Sequence, residues 1–133
     1  MTAVVLDTVV ARIISPFKSD SPRKRKYQSA LAGYAVVLSA QTVAEMQFWA
    51  LQRRWGTERG ERCVEAFIVA PCDTELAPIW ARVRYESMSV GRQLAVADAW
   101  IAATAIQYGL ELVTCDKDFA DLAMPELRVS VYT

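Results

Sequence analysis

The sequence predicts an α/β fold, a three-layer αβα sandwich around a central, mainly parallel sheet of about five strands. Three observations carry this. Short β-branched runs alternate with longer stretches of helical spacing, which implies βαβ crossovers. AVVLD (3–7) and YAVVLS (34–39) are apolar on consecutive residues rather than alternating, as expected of strands covered by helices on both faces. Cap residues and glycines punctuate the segments between the runs.

The first strand is read at Val4 to Leu6, after which Asp7 is placed to cap a first helix. Ser21-Pro22 gives an N-cap followed by proline at the first helical position, and Gly33 stops that second helix. Ala35 to Leu38 is the second strand. From Gln41, QTVAEMQFWALQRRWG keeps Val43, Met46, Trp49 and Ala50 on one face until Gly56, and Thr57-Glu58 suit the start of the next helix. Phe67 to Ala70 is a weaker strand, and Asp73-Thr74 opens a helix running toward Met88. VADAWIAATAIQY (96–108) is alanine-rich, ends at Gly109 and feeds the strand Leu112 to Thr114. A short helix is expected in KDFADLA (117–123), and Val129 to Tyr132 is the last strand. Without a linker, a repeat or a low-complexity tract, residues 1–133 are expected to form one domain.

Composition removes several function classes. The 133 residues hold 53% hydrophobic side chains, enough for a core without disulfide or zinc staples. Lysine plus arginine and aspartate plus glutamate balance at 15 each, so no overall positive field recruits a polyanion. There is no histidine, which excludes Ser-His-Asp and Cys-His mechanisms. Cys63, Cys72 and Cys115 are an odd set without C-x-x-C spacing, which points to a reducing, cytoplasmic setting. No signal segment or membrane-length apolar run is evident.

In an open parallel sheet, ligands collect beyond the carboxyl ends of the strands. Asp7-Thr8 follows the first strand, Ser39 the second, and Asp116 the fourth, while Glu45 and Asp98 fall near the starts of helices. All four carboxylates can reach one end of the sheet. Singly, each has a bland role as a cap, a partner of a helix dipole or a solvated position. Jointly they repel, and such a cluster is tolerable when a cation neutralises it. Oxygen ligands without imidazole or thiolate suit Mg²⁺ or Mn²⁺, one or two ions, and the substrate that best uses them is a phosphate ester.

LDT (6–8), SAQTVAE (39–45), VADAWIAATA (96–105) and LVTCDKDF (112–119) together resemble the PIN-domain ribonucleases, over essentially the whole chain, and within them the VapC-type toxins of type II toxin-antitoxin pairs. The resemblance implies a PIN-like fold over residues 1–133 and metal-dependent hydrolysis of RNA. It implies catalysis and metal binding by Asp7, Glu45, Asp98 and Asp116, with Asp118 as an extra acid. Thr8, Ser39 and Thr114 correspond to hydroxyls that orient those acids. The resemblance also implies a homodimer and a small antitoxin whose helix lies in an apolar groove. Two features depart from the pattern: Val9 stands where many relatives carry Ser or Asn, and VSVYT lacks the common Asn-Trp ending.

The run Arg23, Lys24, Arg25 and Lys26 is a candidate RNA-backbone contact, with Arg53, Arg54, Arg59, Arg62, Arg82, Arg84 and Arg92 scattered downstream. Their alternative role is a solvated charged face. Trp49 and Trp55 lie on different flanks of one helix and each tryptophan is read first as core, while the four tryptophans with Met46, Phe48 and Met88 together suit an exposed patch for self-association or a partner helix. A non-catalytic PIN-like module for binding RNA or protein is the main competing function. An aspartyl-phosphate enzyme is disfavoured because LDTVV lacks a D-x-D acid pair, and a dinucleotide site because no Gly-rich loop follows the first strand.

Overall fold

Val4 and Leu6 point into one helical layer and Val5 into the other, so the first strand is buried on both faces, which is why its apolar residues are consecutive. The computed structural model describes residues 2–91, 93–122 and 124–132. In chain order the elements are β1 (Ala3–Leu6), α1 (Thr8–Ile13), α2 (Pro22–Leu31), β2 (Ala35–Leu38), α3 (Ala40–Gln52), α4 (Gly56–Glu65) and β3 (Ile68–Val69). They continue with α5 (Leu76–Ser89), α6 (Val96–Tyr108), β4 (Glu111–Thr114), a 3-10 turn at Lys117–Phe119 and β5 (Val129–Val131).

The five strands pair in the order β3-β2-β1-β4-β5, every pairing parallel. Val5 stands opposite Val37 on one side and Leu112 on the other. The chain steps outward from β1 to β3, then returns through α5 and α6 to β4 on the far side of β1. Strand order therefore reverses between β1 and β4, and a crevice opens at their carboxyl ends.

One core lies between the sheet and α1 to α4, where Val4, Leu6, Leu38 and Val113 meet Val10, Tyr27, Met46, Trp49 and Cys63. The other lies beneath α5 and α6, where Val5, Val37 and Leu112 meet Val83, Ile101, Ala102 and Ala105. Helix α6 is buried from Ile101 to Ala105, which explains its alanines: small side chains let it sit close to β1, β4, α3 and α5. Gly109 ends it with φ 64°, a left-handed conformation that turns the chain straight into β4. Ser21 and Ser39 cap α2 and α3 by accepting from the backbone N–H of Lys24 and Thr42.

Several expected boundaries shift. Helix α3 ends at Gln52 rather than at Gly56, because Arg54 takes a positive φ of 55° in the turn before α4. Helix α5 begins at Leu76, and Asp73 instead holds the turn in front of it, accepting from Glu75 N at 3.1 Å and from Gln107 Nε2 at 2.9 Å. The KDFADLA helix is only the 3-10 turn. The core reading holds for Trp49, which is 4% exposed, and Trp55 is half-buried against it with ring centroids 4.7 Å apart. Trp80 and Trp100 stack on each other between α5 and α6. The exposed apolar side chains are instead residues such as Phe48, Leu51, Tyr85 and Met88.

Candidate active site

Asp7 leaves the end of β1 in extended conformation and caps α1, its Oδ1 accepting from Thr8 N at 2.7 Å. Its Oδ2 accepts from the hydroxyl of Thr114, the last residue of β4, also at 2.7 Å. Because β1 and β4 are neighbours in register, with Leu6 opposite Val113, the next residue on each strand is brought within this reach. The Thr114 hydroxyl also accepts from Asp116 N at 3.0 Å, and Asp116 Oδ1 accepts from Asp118 N at 2.9 Å. One buried hydroxyl thus fixes two acids from opposite ends of the sequence.

A second chain of hydroxyls orients Glu45. Thr8 donates to the Glu45 carboxylate, so its oxygen accepts from Thr42, 2.9 Å away, and Thr42 accepts from Ser39 at 3.2 Å. Ser39 therefore acts on Glu45 through Thr42 and Thr8 rather than by direct contact. Thr42 is fully buried and was not among the expected site residues, although Ser39, Thr42 and Glu45 stand at successive three-residue steps along one helical face.

Asp98, in the first turn of α6, joins Asp7, Glu45 and Asp116 on the lining of one cleft of about 410 Å³. The remaining wall includes Thr8, Val9, Arg12, Phe48, Trp49 and Cys115. Asp118 stands behind Asp116, in the 3-10 turn. Burial pushes the Asp98 carboxyl up to about 6, with the charges of Asp7, Asp116, Glu45 and Asp118 adding to the effect. Asp7 is also raised, again chiefly by burial, although its bonds from Thr114 and Thr8 oppose the shift. Among the described residues, however, no three acids are gathered tightly enough to hold an ion as they stand. The donor set itself, all carboxylate and hydroxyl oxygen, matches the ligand preference of a hard cation.

The basic run does not act as a unit. Lys24 is a correction: it is buried, with its ammonium donating to the carbonyls of Ser15 at 2.9 Å and Lys18 at 2.7 Å, so it braces a loop and faces no RNA. Arg25 pairs with Asp20 at 2.5 Å, Lys26 is exposed, and Arg23 lies 5.8 Å from the Tyr27 ring. Arg12, which stood outside the expected set, lies 4.7 Å from the Trp49 ring in the cleft wall. Arg92 lies outside the described residues.

Fold and cleft together define a parallel α/β protein whose acids converge at the point where strand order reverses. The chain belongs to the PIN domain family, whose pattern matches residues 4–124. It is 33% identical over 103 residues to Ribonuclease VapC5 of Mycobacterium tuberculosis (strain ATCC 25618 / H37Rv), covering 74% of this chain and 76% of that protein. It is 31% identical over 124 residues to Toxin FitB of Neisseria gonorrhoeae (strain ATCC 700825 / FA 1090), covering 85% and 87%. The crystal structure of VapBC-5 from Mycobacterium tuberculosis, a member of the VapBC family of toxin-antitoxin systems, superposes with a TM-score of 0.71 at 26% identity, covering 99% of this chain and 100% of that one.

Proposed function

We propose that this protein is a Mg²⁺- or Mn²⁺-dependent endoribonuclease and the toxin of a toxin-antitoxin pair, with residues 1–133 forming one PIN-like domain. The observation that carries the reading is the convergence of Asp7, Glu45, Asp98 and Asp116, from four separate segments, on one cleft. Family membership and the ribonuclease and toxin relatives support it.

Asp7, Asp98, Asp116 and Glu45 would hold one or two divalent ions, with Asp118 adding charge behind them. When bound, such an ion supplies a water of lowered pKa and polarises a phosphoryl oxygen. The chain's own task is positioning. Thr114 and the backbone N–H of Thr8 hold both oxygens of Asp7, and the Ser39, Thr42 and Thr8 relay turns Glu45 toward the cleft. Without histidine in the chain no imidazole can move protons here, and the burial that raises the Asp98 carboxyl favours a bound cation, which would hold Asp98 as the carboxylate.

Cellular RNA incubated with the purified protein should be cut only with Mg²⁺ or Mn²⁺ present, and cutting should stop on chelation. Asp7→Asn and Asp98→Asn should each cut RNA at least about 100-fold more slowly than wild type while folding normally, an effect at or beyond the upper end of that for residues that merely orient ligands. Full activity in either variant would refute the mechanism.

A cognate antitoxin, a homodimeric state and a cytoplasmic location complete the proposal. The antitoxin is supported by the toxin-antitoxin complex that the fold matches. For location, the support is three free cysteines and, among the described residues, no helix long and apolar enough to cross a membrane. A non-catalytic PIN-like module is the second reading, favoured by the spread of the acids. Calorimetric titration with Mn²⁺ separates the two, because the second reading requires no binding and no cleavage.

A further inference from the structure

Beside the acid cleft, and sharing its Val9 and Arg12 wall, lies a second hollow of about 220 Å³ completed by Ile13, Lys18, Ser21 and Arg23. Its lining carries three cations and no acid, whereas its neighbour is lined by four acids and, of cations, by the shared Arg12. Such a concave cluster of like charge concentrates anions.

The cations are held in place without being neutralised. The Arg12 guanidinium lies over the Trp49 ring at 4.7 Å, and that of Arg23 lies 5.8 Å from the Tyr27 ring. Aromatic faces orient a guanidinium while leaving its N–H groups available. Lys18 sits on the loop that the buried Lys24 ammonium braces through the Ser15 and Lys18 carbonyls. Among the described residues, no carboxylate is paired with Arg12, Lys18 or Arg23. Ser21 caps α2 at the hollow's edge, so the positive end of a ten-residue helix adds to the field.

We propose that Arg12, Lys18 and Arg23 form a phosphate subsite that holds an RNA backbone phosphate adjacent to the one presented to the acid cleft. The inference deepens the ribonuclease reading and rests on it for the identity of the strand. It also resolves an electrostatic problem: a carboxylate-lined cleft repels a polyanion, and a cationic hollow sharing its wall offsets that repulsion where the strand must enter. The run Arg23 to Lys26 contributes only Arg23, because its neighbours are turned to other partners or directions.

The test is fluorescence anisotropy of a fluorescein-labelled, 2′-O-methylated RNA octamer in EDTA over a salt series, where cleavage cannot occur. Wild type should bind, and Arg12→Gln/Arg23→Gln should bind about 10-fold more weakly. The slope of log affinity against log salt should shrink by about 0.7 for each phosphate that is no longer neutralised. Lys18→Gln, at an exposed loop position away from the aromatic stacks, guards against misfolding and should also weaken binding, whereas Arg53→Gln at the end of α3 should not. Inorganic phosphate should compete with the octamer in wild type but less in the variants. With Mg²⁺, Lys18→Gln, which lines the cationic hollow but not the acid cleft, should raise KM for RNA cleavage while kcat stays within about 2-fold.

Unchanged octamer affinity in the variants, or no binding by wild type at low salt, overturns the subsite. If RNA is cut but the variants bind and cut like wild type, the subsite fails and the nuclease reading stands. If nothing is cut yet the variants lose binding, the nuclease reading fails and the subsite stands.

Discussion

Thr114 is the residue on which the geometry of the acids depends most directly. Its hydroxyl is buried, donates to Asp7 and accepts from Asp116 N. Thr114→Val leaves both groups short of a partner inside the protein, which should cost about 1–3 kcal/mol in urea unfolding. RNA cleavage should fall by about 10–100-fold, the usual effect of losing a group that orients a metal ligand. Thr114→Ser should recover most of both, and an active valine variant would show that Asp7 needs no such support. Asp98 yields a prediction about pH. Its carboxyl titrates near 6 in the folded protein against 3.8 ordinarily, so between those values the folded state binds more protons than the unfolded one. In a chelator, the contribution of this group to stability is therefore greatest at low pH, declines as pH rises from about 4 to 6, and stays low above that. Asp98→Asn should remove the decline, so its stability relative to wild type grows over that interval and then levels off. Urea unfolding at pH 4, 6 and 8 in EDTA checks the sign, and a gain confined to acid pH would contradict it.

At the scale of the element, helix ends and turns decide how the site is presented. Gly109 lets α6 stop abruptly and deliver β4 beside β1, and a Cβ there would meet nothing within 4 Å, so the only obstacle to a side chain is φ at 64°. Gly109→Ala should therefore cost about 1 kcal/mol by thermal or urea unfolding, with RNA cleavage kept. Helix α2 offers a contrast between neighbouring cations. Lys24→Met removes a buried ammonium from two carbonyls and should destabilise by about 1–3 kcal/mol. Arg25→Gln breaks only an exposed pair with Asp20 and should change stability by less than about 1 kcal/mol. Equal losses would mean that Lys24 does not brace the loop. Consecutive helical residues point in directions about 100° apart, so four basic residues in a row cannot all face one ligand.

Across the whole molecule, the repulsion among four acids is a cost that a divalent ion would offset. Adding Mg²⁺ or Mn²⁺ at about 100 times its dissociation constant should raise unfolding free energy by about 2.7 kcal/mol, visible as a higher Tm. The increment should vanish in Asp98→Asn, and an unchanged Tm in wild type at saturating Mn²⁺ would argue for the non-catalytic reading. Topology makes the cluster possible. The reversal of strand order beside β1 puts Asp7 and Asp116 on adjacent strand ends, while α3 and α6 bring Glu45 and Asp98 from opposite layers.

By itself, the sequence determined the succession of strands and helices and the end of the sheet where acids gather. Apolar runs such as VVL before Asp7 declare doubly covered strands, and the serine, proline and glycine at the ends of α2 and α6 declare their limits, because these are local preferences of backbone and side chain. Tertiary structure alone decided which side chains act together. Thr42 reads as an ordinary helical threonine until α1 packs beside α3 and brings Thr8 to its hydroxyl. Lys24 reads as one more surface cation until the loop folds over it, and Arg12 joins Lys18 and Arg23 only once the chain has turned into α2. The physical reason is one of range: capping and periodicity act over a few residues, whereas hydroxyl relays, buried ammonium contacts and the field of a hollow depend on distances that only packing sets.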